Sequence, residues 1–89
     1  MNIHKDNEEM IVNFGALEYD AEKISIILGE DIEEVKKEMK NKNSDLFKLL
    51  QKGKYLAEYL IDLKLFEMAK SGDIKALDKL DSRKRDRNY

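Results

Sequence analysis

The stretch SDLFKLLQKGKYLAEYLIDLKLFEMAKSG, residues 44–72, decides how the rest of the chain is read. Its composition predicts one helix of about 26 residues, roughly 39 Å long. Ser44 offers a hydroxyl to cap the amino end, and Gly72 suits the carboxyl end. In the first half Leu46, Leu49, Leu50, Leu56, Ala57 and Leu60 recur at three- and four-residue steps, with Lys48, Gln51, Lys52 and Lys54 elsewhere on the circle. From Tyr55 onward a second apolar line of Tyr55, Tyr59 and Phe66 joins it, and Ile61, Leu63, Leu65 and Met68 fill the angles between. A helix apolar on most sides has to be covered on most sides. Each large side chain buried there is worth about 1.5–3 kcal/mol. The chain has 89 residues, too few for the remainder to do all the covering, so the stretch predicts self-association through this helix.

The segments before it read as a small helical head. Residues 1–7 lack periodicity and are expected to form a loose arm. Met10, Ile11, Phe14 and Leu17 share a face of a first helix over about 8–17, and Glu18 and Tyr19 turn the chain. Asp20 is a good N-cap, and Tyr19 before it can pack on Ile24 as a hydrophobic staple. The second helix would bury Ala21, Ile24, Ile27 and Leu28 and end at Gly29. Asp31 and Glu34 form a capping box for a third helix over about 32–40, with Ile32, Val35 and Met39 inward. Residues 41–43 are a polar linker into the long helix. Beyond Gly72 a last helix starts at Asp73, buries Ile74, Leu77 and Leu80, and is expected to lie antiparallel to the end of the long one. From Asp81 the chain is basic and expected to fray. The fold class is all-α: a three-helix helix-turn-helix head, then a long helix and a short antiparallel C-terminal helix. The expected divisions are residues 1–43, head with flexible arm; 44–82, helical-hairpin oligomerisation region; and 83–89, basic tail.

Composition narrows the function. Proline, cysteine and tryptophan are absent, so disulfides and thiolate metal sites are excluded. The start is polar and no apolar run approaches the ~20 residues of a membrane span. The expectation is a cytoplasmic protein with no membrane partner. His4 is the single histidine and sits in the arm, and Ser25, Ser44, Ser71 and Ser82 have no histidine in a neighbouring element. Glu58 with Asp62 is a weak magnesium pattern, outweighed by an interface polar pair beside Lys64 and Tyr59. No catalytic residue, resident metal or cofactor is expected. Charge is uneven: residues 1–43 carry six Lys against eleven acids, a net of −5, and residues 44–89 carry eleven basic residues against eight acids, a net of +3.

Two short helices about Gly29, with Ile24, Leu28 and Val35 at these spacings, suggest a helix-turn-helix, whose second helix is the one offered to the DNA major groove. Opposite its buried stripe Lys36, Lys37 and Lys40 cluster on one flank, and Asn41 and Lys42 lie just beyond. The commoner reading of such lysines is a solvated face. Arg83, Lys84, Arg85 and Arg87 could contact phosphate or simply solvate the chain end.

Taken in order, the helix-turn-helix of residues 19–40, Lys52-Gly53-Lys54 inside a long helix, and Ala-Lys-Ser-Gly-Asp-Ile-Lys-Ala-Leu at 69–77 resemble the small terminase subunits of tailed bacteriophages. The pattern of Ala69, Gly72, Asp73, Ala76 and Leu77 is the most telling part, and the resemblance runs from about residue 10 to 87. It implies a non-enzymatic DNA-packaging protein with a homeodomain-like head. Such a subunit binds viral double-stranded DNA as a homo-oligomer, a ring, and recruits and regulates the large ATPase-nuclease subunit in the host bacterial cytoplasm. By position, Lys36, Lys37 and Lys40 would face DNA. Leu56, Tyr59, Leu60, Leu63 and Phe66, with Tyr55, would form the oligomer interface. The basic run at Arg83, Lys84, Arg85 and Arg87 would meet the large subunit. Two other readings compete: a small dimeric helix-turn-helix transcription regulator, and a protein-protein adaptor that does not bind DNA.

Overall fold

In the computed structural model, which describes residues 1–87, a short 3₁₀ turn at Lys5–Asn7 leads into α-helices, and no strand occurs among these residues. Helix α1 is Glu8–Ala16, α2 Ala21–Leu28, α3 Ile32–Lys40, α4 Asp45–Lys70 and α5 Ile74–Arg87. The protein is all-α. Residues 88–89, the end of the expected basic tail, lie outside the described residues.

Local chemistry accounts for most of these boundaries. The Asp20 carboxylate accepts from the Lys23 amide at 3.0 Å, and Asp31 accepts from Glu34 at 3.1 Å. Gly29 ends α2 at φ +68° and Gly72 follows α4 at φ +102°, conformations that cost a side-chain-bearing residue. Glu18 takes such a conformation without being glycine, at φ +57°, where the Tyr19 amide reaches back to the Phe14 carbonyl at 3.0 Å and closes α1. Ser44 has two roles at the start of α4. Its hydroxyl accepts from the Phe47 amide at 3.0 Å and donates to the Glu38 carbonyl at 2.7 Å, tying α4 to the end of α3. Asp73 caps α5 by accepting from the Ala76 amide at 3.0 Å.

Two units divide the chain, Met1–Leu56 and Ala57–Tyr89. The division falls inside α4 and not at residue 43, because the first half of that helix belongs to the core of the first unit. Ile11 and Phe14 of α1, Ile24 of α2, Val35 of α3 and Leu46 of α4 form that core, with Leu49 and Leu50 packed against it. Tyr19 packs there too, its ring stacked on Phe14 at 5.6 Å between centroids.

Two glycines set the contact of α1 with α4. A β-carbon on Gly15 would fall 2.8 Å from the Leu50 α-carbon, and one on Gly53 would fall 2.8 Å from the Val12 carbonyl carbon and 2.9 Å from the Ala16 nitrogen. Main chain therefore meets main chain at both points, which only residues without a side chain permit. Gly53 consequently lies on the inward line of α4 after Leu46 and Leu50. Leu56 and Leu60, expected on the same buried face, are instead 44% and 61% exposed.

The arm is not loose. Met1 and Ile3 pack against the core, and the Met1 amino group lies 2.7 Å from the Glu34 carboxylate and 3.5 Å from that of Glu38. Glu34 thus turns to the amino group, while the Asp31 half of the expected capping box forms. The burial pattern also shifts at helix ends and flanks: Leu17 and Ile27 are exposed, and Ser25, donating to the Glu22 carbonyl at 2.8 Å, takes an inward place in α2.

The second unit is a helical hairpin. Among its described residues the buried side chains are Ala76 and Leu80. With Arg83 and Arg87 they form one stripe of α5 at steps of four, three and four, the period of one helix face. Ile74 and Leu77, expected inside, lie off that stripe and are exposed. The stripe's polar half explains why the expected fraying tail is helical to Arg87. The Asp62 carboxylate of α4 binds Arg83 Nε at 2.6 Å and Arg87 Nη1 at 2.7 Å, pinning the last turns of α5 antiparallel to α4. The Arg87 guanidinium also donates to the Arg83 carbonyl at 3.2 Å.

Candidate nucleic-acid and assembly surfaces

Charge in the first unit changes sign along the chain. Residues 1–34 carry two Lys against ten acids, whereas residues 35–56 carry seven Lys against two acids. The switch occurs inside α3, so that helix presents both signs and its side-chain partners decide what reaches solvent. Glu34 and Glu38 engage the Met1 amino group, whose pKa is raised chiefly by the hydrogen bond to Glu34. The Asp31 carboxylate is taken up by its own helix cap. Glu33 sits 3.7 Å from Lys36 and offsets it.

The remaining cations, Lys37 and Lys40, are exposed, as are Lys36, Asn41 and Lys42. Asn41 is the C-cap of α3, and its side-chain oxygen accepts from the Asn43 amide at 3.0 Å. That bond fixes the turn into α4. By helical register Lys37 and Lys40 lie on the side of α3 away from Val35, and Lys36 lies on the flank between. Of the other cations, Lys52 lines a surface groove with Glu8 and Glu9, and Lys54 lines one with Glu18. The net charge of residues 1–43 hides this pattern, because it averages an acidic α1–α2 surface with the start of a basic α3–α4 one.

The hairpin residues expected to form an oligomer interface are open to solvent. Tyr59 is 57%, Leu60 61% and Phe66 49% exposed, and Leu63 is half-buried beside them. Tyr59, Leu63 and Phe66 repeat at steps of four and three, so they form one continuous stripe of α4. Lys70 caps its end, with Nζ 5.1 Å from the centre of the Phe66 ring. In the first unit Tyr55 and Leu56 are exposed as well.

The basic residues at the end of α5 differ in their partners. Arg83 and Arg87, both still partly exposed, pair with Asp62, whose carboxyl they hold below the usual carboxylate range, the Arg83 hydrogen bond being the main cause. Lys84 and Arg85 are exposed, Arg85 donating to the Ser82 hydroxyl at 3.2 Å. Asp62 with Glu58, weighed as a magnesium pair, is therefore an arginine-binding carboxylate, while Glu58 lines a shallow groove with Arg83, Asp86 and Arg87. His4 is a local cap, its Nδ1 accepting from the Asp6 amide at 3.1 Å.

No helix among the described residues is long and apolar enough to cross a membrane. Comparison with protein-family models, curated proteins and solved structures found no match.

Proposed function

We propose that the chain is an oligomeric, non-enzymatic DNA-binding adaptor, with α3 as its DNA-facing helix and the hairpin as its assembly element. More particularly, it acts as the small terminase subunit of a tailed bacteriophage, binding viral double-stranded DNA and recruiting and regulating the large ATPase-nuclease subunit in the host cytoplasm. The observation that carries the first statement is the placement of charge on α3. Its acids are engaged by the amino group, by a cap or by Lys36, while Lys37 and Lys40 point to solvent on the flank opposite the core. The second statement rests on the motif order of residues 19–77, ending in the Gly72-Asp73 turn that starts α5.

Lys36, Lys37, Lys40 and Lys42 bind phosphates in this reading. Weak binding by one head becomes useful when several heads are held together, because each later encounter is then intramolecular. Of the basic residues at the chain end, Lys84 and Arg85, exposed and not paired with Asp62, meet the large subunit in this reading.

DNA retention at low salt tests the reading. Lys37→Glu combined with Lys40→Glu should abolish it, and neutralising either lysine should reduce the slope of log affinity against log salt by about 0.9 for each phosphate no longer neutralised. Undiminished retention in the double variant would leave the non-DNA adaptor as the better description. Tight, sequence-selective binding of a dimer to a palindrome would favour the transcription regulator.

A further inference from the structure

The hairpin carries a second apolar stripe, separate from that of Tyr59, Leu63 and Phe66. Ile61, Leu65 and Met68 also recur at steps of four and three, displaced by two residues from the first stripe. Two residues of α-helix are a rotation of about 200°, so the two stripes lie on opposite sides of α4. Ile61 is 50% and Met68 38% exposed. On this second side α4 and α5 leave an open groove of about 490 Å³, lined by Ile61, Leu65, Asp78, Lys79, Ser82 and Arg83. Leu77, 46% exposed, is two residues from Lys79 and therefore on the other flank of α5, the side of Phe66. The hairpin is thus a thin layer with a ridge of aromatic and leucine side chains on one side and a groove on the other.

Two faces of different form have a consequence for symmetry. A twofold dimer pairs a patch with itself, so it would cover the ridge and leave the groove wet, or the reverse. Fitting the ridge of one copy into the groove of the next covers both with a single kind of contact. The edges suit that pairing. Glu67 and Lys70 border the ridge, Asp78 and Lys79 border the groove, and each side so brings one anion and one cation for its opposite number. The small interior of the hairpin, in which Ala76 and Leu80 alone are fully buried among the described residues of the unit, adds a need for cover. A piece of this size does not bury enough surface to be stable by itself.

We propose that the Ile61–Leu65 groove is the receptor for the Tyr59–Phe66 ridge of a second copy, so that the chain assembles head-to-tail through two unlike faces. This rests on the reading that the hairpin is the assembly element, and it adds the partner surface and the mode of pairing. Phe66→Glu blocks the ridge and Ile61→Glu blocks the groove, both at positions about half exposed in the single chain.

Native mass by light scattering, with helix content followed by circular dichroism, distinguishes the possibilities. The wild type should be larger than a dimer and each variant alone a monomer. An equimolar mixture of the two should form a one-to-one heterodimer and stop there, since a single intact ridge then meets a single intact groove. That rescue also shows that both variants fold. A wild-type dimer that survives Ile61→Glu, or a mixture that stays monomeric, would overturn the head-to-tail pairing; the dimer would leave hairpin assembly standing. A monomeric wild type would remove both.

Discussion

Replacing Gly53 by Ala adds one methyl group where the main chain of α1 already lies, 2.8–2.9 Å from the new carbon. Intrinsic helix preference favours that change by up to about 1 kcal/mol. Overpacking costs typically about 1–3 kcal/mol, and a backbone neighbour cannot swing aside as a side chain can. The steric effect should win: Gly53→Ala lowers stability in urea denaturation despite being the better helix former. A gain in stability would mean that α1 does not lie against this point. Asp62 makes a second prediction at the same scale. Its folded pKa is depressed, so its stabilising effect is fully present above the ordinary value near 3.8 and is lost as pH falls through the folded value. Acid titration of the wild type followed by circular dichroism should therefore show loss of hairpin structure below about pH 3.8, and Asp62→Asn should be weaker at neutral pH and flat across that window.

Helix α4 is held at its start by one hydroxyl with two tasks. Ser44→Ala removes the cap on the Phe47 amide, worth about 0.5–2 kcal/mol, and also takes the shorter of two hydrogen bonds from the part-buried Glu38 carbonyl, which keeps only the Asn41 amide at 3.2 Å. The expected destabilisation lies at the upper end of that range, against a smaller one for Asp20→Ala, whose carboxylate bonds only the Lys23 amide at an exposed site; thermal melting of the two variants compares them. These caps are the part of the fold that is plain in the sequence. Asp20, Asp31, Ser44, Gly29 and Gly72 act at short range, through the main chain of their own turn, so a linear reading finds them. The inner lines of the helices are harder to read, for a physical reason. When a helix is apolar on most sides, periodicity does not mark which apolar residue faces in, and α5 is joined to α4 through two arginines that no apolar pattern would select. The close approach at Gly15 and Gly53 is equally hidden, since a glycine inside a helix reads as a weak spot until its neighbour is known. For the proposed DNA-facing surface, Lys36, Lys37 and Lys40 are legible as a flank. The engagement of Glu34 and Glu38 by the amino group is not, because it joins residues distant in sequence.

For the whole molecule the question is what covers Tyr59, Leu60, Phe66, Ile74 and Leu77, which are open to water in the single chain. In the proposed assembly, copies that bind only the folded hairpin stabilise it by mass action, so the melting temperature should rise with protein concentration. Phe66→Glu should abolish that dependence, and differential scanning at several concentrations reads it directly. The close approach at Gly15 and Gly53 carries a further consequence, for how this chain can change length. Both glycines face atoms that every residue possesses, so no trimming of Val12 or Leu50 makes room for a substitute. Adding a single residue to α4 between Leu46 and Gly53 would turn everything downstream by about 100° and drive the Lys52 side chain into the slot. Insertions in that span are therefore barred by phase, however well they suit a helix. The spacing of Leu46, Leu50 and Gly53 works as a ruler by which a distant relative could be recognised after its surface has drifted beyond comparison.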